Sequence, residues 1–320
     1  MDRCISLRSF LLVLALFVGM GLVGCSGDDD DDDSSTTPTP SPTPEPFDDT
    51  FRIIKMEVGT SSEGVDIDGD GDIDNAIEDT LNGIVDSTVS SVTTQLQDAG
   101  VQDPTLTMVE TILTEALSGI FTVDALTNAL NVPIENFQTN YMLEFQQQVD
   151  GSVSLTWYNA EMQPGGSFEV DTSRTDAVLG EQTGTLDLST KTGEFAGDIG
   201  LTFVFETPSL PAPGAVPAEE IELVLVLAGA KSTVEQYNDV SLRDMMFGGA
   251  IIIDDIVRLI ESVLNMVAAN LPEGVPFDVD AIVDEIATQM EGYSDVTVNG
   301  QQGFSIGVNV SADASLLVVK

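Results

Sequence analysis

The spacing of apolar residues along the chain changes period twice. Residues 51–58, FRIIKMEV, are rich in strand-forming side chains and predict a first β-strand. Beyond Ile73 the positions Ile77, Leu81, Ile84, Val85, Val89, Val92 and Leu96 recur at intervals of three and four, the mark of an amphipathic helix. Residues 105–120 repeat that pattern through Met108, Val109, Ile112, Leu113, Ala116 and Leu117, and residues 123–130 predict a short third helix. The period then shortens. Segments 141–149 and 152–160 flank Asp150-Gly151 as the arms of a hairpin, and segments 183–188 and 195–205 flank a turn at 190–193. Ile199, Leu201, Phe203 and Phe205 alternate with smaller or polar neighbours, so one face of their strand is expected to be buried. Residues 208–217 read as a proline-containing loop, 221–227 as a central strand, and Met245 to Gly249 as a packed turn. Helices are predicted over 251–269 and over 279–290, with Asp280 near the start of the second, before closing strands around Val296 and over 304–319. The expected fold class is α+β, an antiparallel sheet packed with amphipathic helices, filling residues 51–320 as one large body or two intimately packed parts.

The segment before this body has a different logic. Arg3 and Arg8 precede a short apolar run over 10–18, and Leu22-Val23-Gly24-Cys25 closes it. A positive start, an apolar middle and small residues before a cut make an export signal, here residues 1–24; the run is short for a permanent membrane span. The tetrad Leu22-Val23-Gly24-Cys25 resembles the lipobox of bacterial lipoproteins. That resemblance implies cleavage before Cys25, fatty acyl chains such as palmitate on its sulfur and new amino terminus, and attachment to a membrane of the cell envelope. Each buried CH₂ contributes about 0.8 kcal/mol, so several chains on one residue hold firmly. Ser26 stands where inner-membrane lipoproteins of enteric bacteria have Asp, so the resemblance points to the outer membrane. Cys4 leaves with the signal and Cys25 is consumed by lipid, which leaves the body neither a thiol nor a disulfide.

Residues 25–50 read as a lipidated tether. Asp28 to Asp33 is an unbroken run of aspartate, followed by SSTTPTPSPTPEP over 34–46. Repelling charges and alternating prolines favour an extended, solvated chain that cannot bury enough surface to repay its ordering. An acidic run beside the anchor also resembles the surface-export signals of some Gram-negative lipoproteins; a plain spacer facing the periplasm reads equally well.

Charge narrows the function classes. The chain has 320 residues with 54 acidic against 10 basic side chains, no histidine, and a net charge of -44. Nucleic acid is excluded as a partner, because ten scattered cations cannot build the basic face that displaces phosphate counterions. Catalysis through a Ser-His-Asp or Cys-His pair, and a histidine zinc site, are excluded as well.

One motif carries chemistry. Residues 66–78 read DIDGDGDIDNAIE, with Asp66, Asp68 and Asp70 at alternate positions, Gly71 at the turn, Asp72 able to offer its carbonyl, Ile73 expected to pack inward, and Asp74 placed as a further ligand. Calcium takes six to eight hard oxygens, and a loop of this form wraps them around the ion. The stretch resembles the opening of an EF-hand loop and the acidic loops of dockerins and thrombospondin type 3 repeats, whose core is Asp-x-Asp-x-Asp-Gly. It departs from them at the twelfth position, which is Ile77, so the acid falls one residue late at Glu78. Glu78 is either a sixth ligand or the far member of a capping box begun by Asn75. No incoming helix precedes the loop, so the unit is a loop with its outgoing helix only.

Two other readings stay open at this level. Apolar helices against a sheet can enclose a cavity for a lipid or another hydrophobic ligand, although the same pattern describes a filled core. Acid pairs such as Asp254-Asp255 and Asp284-Glu285 carry the side chains of a glycoside hydrolase, which requires two carboxyl groups facing each other. Trp157 and Tyr158 lie on opposite faces of one strand, so at least one is expected in the core. The protein is thus expected to act as a binding or structural module of the envelope, its protein, glycan or lipid partner unspecified by sequence.

Overall fold

A computed structural model describes residues 47–206, 220–269, 271 and 275–320. The export signal, Cys25, the acidic run and the proline-containing loop at 208–217 lie outside the described residues. Strand β1 (Asp48–Val58) begins three residues inside the expected tether. Helices α1 (Ile77–Asp98), α2 (Thr105–Ser118) and α3 (Val123–Glu135) follow, then strands β2 (Tyr141–Gln147), β3 (Val153–Asn159), β4 (Glu161–Met162), β5 (Phe168–Val170), β6 (Val178–Asp187), β7 (Thr192–Ala196), β8 (Ile199–Glu206), β9 (Glu220–Val234) and β10 (Ser241–Ile252). Helices α4 (Ile253–Ala269) and α5 (Val279–Met290) precede β11 (Val296–Val298), β12 (Gln301–Ala314) and β13 (Leu317–Val319).

The sheet closes on itself. Strands run in the order β1-β2-β3-β6-β7-β9-β10-β12, and β12 pairs back onto β1, with every step antiparallel. The α+β class therefore holds, in the form of an eight-stranded barrel with helices packed on it. Closure removes the two free edges that an open sheet exposes. Strand β8 pairs with the first half of β9 and β7 with the second half, so the single strand expected over 195–205 is broken at Gly197, whose φ is +154°. Residues 245–249, expected as a turn, run through the middle of β10 instead. Gly248 and Gly249 are there because neighbours approach their backbone closely: a Cβ on Gly248 would meet Val65, and one on Gly249 would meet Leu227.

Side chains fill the interior. Trp157 on β3 and Phe247 on β10 meet edge to face with ring centroids 4.9 Å apart, and Phe145 and Phe195 do so at 5.5 Å. Gln182 is fully buried and satisfied: its Oε1 accepts from Trp157 Nε1 at 3.3 Å and Ser232 Oγ at 2.6 Å, while its Nε2 donates to the Gly197 and Ala230 carbonyls. Both residues of the Trp157-Tyr158 pair are buried, on opposite faces: Trp157 in the barrel core and Tyr158 beneath the small sheet β13-β5-β4 with Met142 and Phe168.

The helices join the same core through Ile84, Leu113, Leu130, Ile260 and Ile286. Helix α3 has a second role. Pairing of β1 with β2 stops at Arg52, and beyond that point Asn131 Oδ1 accepts from Met56 N at 2.9 Å while its Nδ2 donates to the Met56 carbonyl. Thr127, one turn earlier, accepts from Val58 N at 3.1 Å. A helix thus supplies the hydrogen bonds of a missing strand, which buried backbone groups require.

Candidate metal centre

The acidic loop lies on the outside of the barrel. Val65 and Ile67 are buried against Ala250 and Val296, and Glu63 and Gly64 rest on Gly307 of β12, where a Cβ would overlap the Glu63 carbonyl. Bare glycine backbone on β10 and β12 thus makes the bed for the loop. Ile73 does not pack inward: it is 57% exposed, and Val65 and Ile67 provide the apolar contact in its place. The turn explains this: Val65 and Ile67 stand before the positive-φ glycines Gly69 and Gly71, and Ile73 follows them.

Glycine also sets the loop's curvature. Gly69 and Gly71 have φ of +87° and +97°, the left-handed region that other residues enter at a cost. Asp66 receives the Gly69 and Gly71 amides on its two oxygens at 2.5 and 3.0 Å, and Asp74 Oδ2 receives the Ile67 amide at 2.6 Å. A short antiparallel bridge between Val65 and Asp74 closes the base.

Among the described residues, Asp66, Asp68 and Asp74 each offer a carboxylate oxygen, and these oxygens lie within 4.8 Å of one another. Calcium–oxygen bonds measure 2.3–2.6 Å, so two oxygens on one ion lie at most about 5 Å apart. These three oxygens are therefore close enough together to share one hard divalent cation. Burial pushes the Asp74 carboxyl above its ordinary pKa, with the nearby charges of Asp68 and Asp295 acting in the same direction against the two amides it accepts. A divalent ion relieves such repulsion directly. Lys231 on β9 reaches the loop too, donating to the Asp66 carbonyl with its nitrogen 4.0 Å from Asp66 Oδ1.

The remaining expected ligands stand apart from that trio. Asp70 accepts the Asp72 amide at 2.8 Å, Asp72 is exposed, and Glu78 is exposed on the first turn of α1. The capping box is corrected: Asn75 is buried and uses its amide nitrogen on the carbonyls of Gly59, Thr60 and Glu63, while the N-cap of α1 is Ala76, without a side-chain cap. The Ala76 amide is instead taken by Ser305 Oγ at 2.8 Å, which donates to Asp295. Sequence could not find Ser305 or Asp295, because they enter from β12 and the turn before β11, about 230 residues away along the chain.

The acid pairs on helices have other occupations. Asp255 pairs with Arg258, and Glu285 accepts from Ser91 at 3.2 Å and Gln289 at 3.2 Å. No single described helix is long and apolar enough to cross a membrane. Comparison with protein-family profiles, with curated proteins and with solved structures finds no match to this chain.

Proposed function

We propose that the protein is a lipid-anchored module of the bacterial cell envelope whose barrel carries a structural calcium site, and that it acts through binding or envelope architecture rather than through catalysis. The observation that carries the metal half is the convergence of Asp66, Asp68 and Asp74 within 4.8 Å on a loop seated on the barrel wall. Asp66 and Asp74 belong to the two ends of the loop, which the Val65–Asp74 bridge brings together, so an ion held between them ties the base shut. With free calcium at ten times its dissociation constant, binding contributes about 1.4 kcal/mol to folding. That suits an extracellular module with an affinity of roughly 10⁻⁴ to 10⁻³ M, and a structural role more than a sensing one. The lipobox Leu22-Val23-Gly24-Cys25 carries the anchoring half, with Ser26 favouring the outer membrane. The carrier reading is less well supported, because Trp157, Phe247, Phe145 and Phe195 occupy the barrel interior.

Two measurements test this. Mass spectrometry of the protein purified from membranes is expected to find acyl chains on Cys25, and an unmodified cysteine would remove the anchor. Calorimetric titration with calcium is expected to give one site in the native protein and none in an Asp66→Asn, Asp68→Asn, Asp74→Asn variant. Equal heats from both would remove the metal site.

A further inference from the structure

Part of the barrel wall is covered from outside. The acidic loop lies over β10 and β12, and the small sheet lies over β2 and β3. Strands β6, β7 and β9 instead form the floor of an open groove of about 960 Å³, with Gly64, Val65 and Asp66 along one side. That volume is within the range of ligand sites. Cross-strand pairing orders the floor into rows: Thr183, Ala196 and Lys231 lie side by side, as do Thr185, Glu194 and Thr233, with Asp187 beside Thr192 at the far end. Glu235 follows the end of β9, four positions after Lys231, about 13 Å at the usual rise of an extended chain, and three strands span about 10 Å.

Two properties of this floor stand out. Thr183, Thr185, Glu194, Thr233 and Glu235 make no side-chain hydrogen bond or ion pair among the described residues, so their polar groups are open to a partner. The lining also holds four carboxylates, Asp66, Asp187, Glu194 and Glu235, against Lys231, and Lys231 is already engaged by Asp66. An anion is repelled there. A sugar chain finds no ring to stack on, because the aromatic side chain in the lining, Phe195, is buried in the core. We propose that this groove binds an extended, lysine- or arginine-bearing segment of a polypeptide, about four residues long, with its cations on Glu194 and Glu235 and its backbone amides and carbonyls met by Thr185 and Thr233. None of these four residues belongs to the metal loop, although Asp66 of that loop lines one side of the groove.

The test is fluorescence anisotropy of a labelled tetralysine added to the full-length protein in EDTA, so that the metal loop is empty in every variant alike. A protein this acidic attracts cations everywhere, so location decides the result. Glu194→Gln with Glu235→Gln is expected to weaken binding at least fivefold, while Glu110→Gln with Glu115→Gln, an equal charge change on the exposed face of α2, is expected to alter it less than twofold. Equal losses from the two pairs, or no saturable binding at all, would overturn the proposal. So would tighter binding of a neutral oligosaccharide than of tetralysine at the same site.

Discussion

Asp150, Asp171 and Asp187 each stand two residues before a serine, and in all three turns the aspartate Oδ1 accepts both the serine amide and the serine hydroxyl, the latter at 2.6 Å. Those bonds favour the charged carboxylate and hold all three groups below the ordinary aspartate range, the serine hydroxyl being the largest cause each time. The sign follows from linkage: a depressed folded pKa gives stability that is present above the unfolded value and lost as pH falls through the folded one. Ser189→Ala is therefore expected to raise the titration midpoint of Asp187 toward its ordinary value, read from its carboxyl carbon by NMR; an unmoved midpoint would rule out the hydroxyl as the cause. Inside the barrel the stakes per residue are higher. Gln182→Leu strips partners from Trp157 Nε1 and Ser232 Oγ in a site with no water access, and each stranded buried polar group costs about 1–3 kcal/mol. A loss of roughly 2–4 kcal/mol in urea unfolding is expected. A loss below about 1 kcal/mol would mean that water reaches the network.

The loop and the barrel wall are coupled through glycine. Gly307→Ala puts a methyl group against the Glu63 carbonyl and the Gly64 Cα, backbone atoms that cannot rotate aside, so the loop must lift while β12 keeps its inner face. Hydrogen exchange is expected to show faster loss of protection at the Asp74 amide, bonded to Val65, with the amides of α4 unchanged; uniform loss would indicate a damaged barrel instead. This dependence explains which parts of the site could be read in advance. The alternate aspartates and the glycines among them signal a tight oxygen-lined loop from local spacing alone, and Asp66, Asp68 and Asp74 do converge. What Asn75, Ile73 and Glu78 do is decided by the surface beneath the loop, which local spacing does not describe. The same division holds among the elements. Helix α5 has the expected bounds and α2 nearly so, because a 3.6-residue period needs no partner to be visible. Met245 to Gly249 reads as a turn in sequence because paired glycines usually make one; in β10 Gly248 and Gly249 serve close packing on its two faces.

Closure of the barrel depends on β1 pairing with β12, Phe51 opposite Ala314 and Val58 opposite Val308, and no local pattern announces a contact between the two ends of the body. Composition, by contrast, sets the electrostatics of the whole molecule. A chain with 54 acidic and 10 basic side chains repels itself in the compact state, and added salt screens that repulsion. Any cation will therefore raise the melting temperature, and calcium stabilisation at low salt is no evidence for a site. The two effects separate at high ionic strength. Raising sodium chloride from about 10 mM to about 500 mM shortens the screening length from about 30 Å to about 4 Å, which removes most of the diffuse contribution but leaves three oxygens within 4.8 Å of one another nearly as attractive to an ion between them as before. At the higher salt, millimolar calcium is expected to raise the melting temperature by a further few degrees, consistent with about 1.4 kcal/mol on a body of this size, while magnesium at equal concentration adds less because it gives up its waters reluctantly. The increment should vanish in the Asp66→Asn, Asp68→Asn, Asp74→Asn variant. If calcium, magnesium and additional sodium give the same curve in calorimetry, the loop acts only as part of the general negative field.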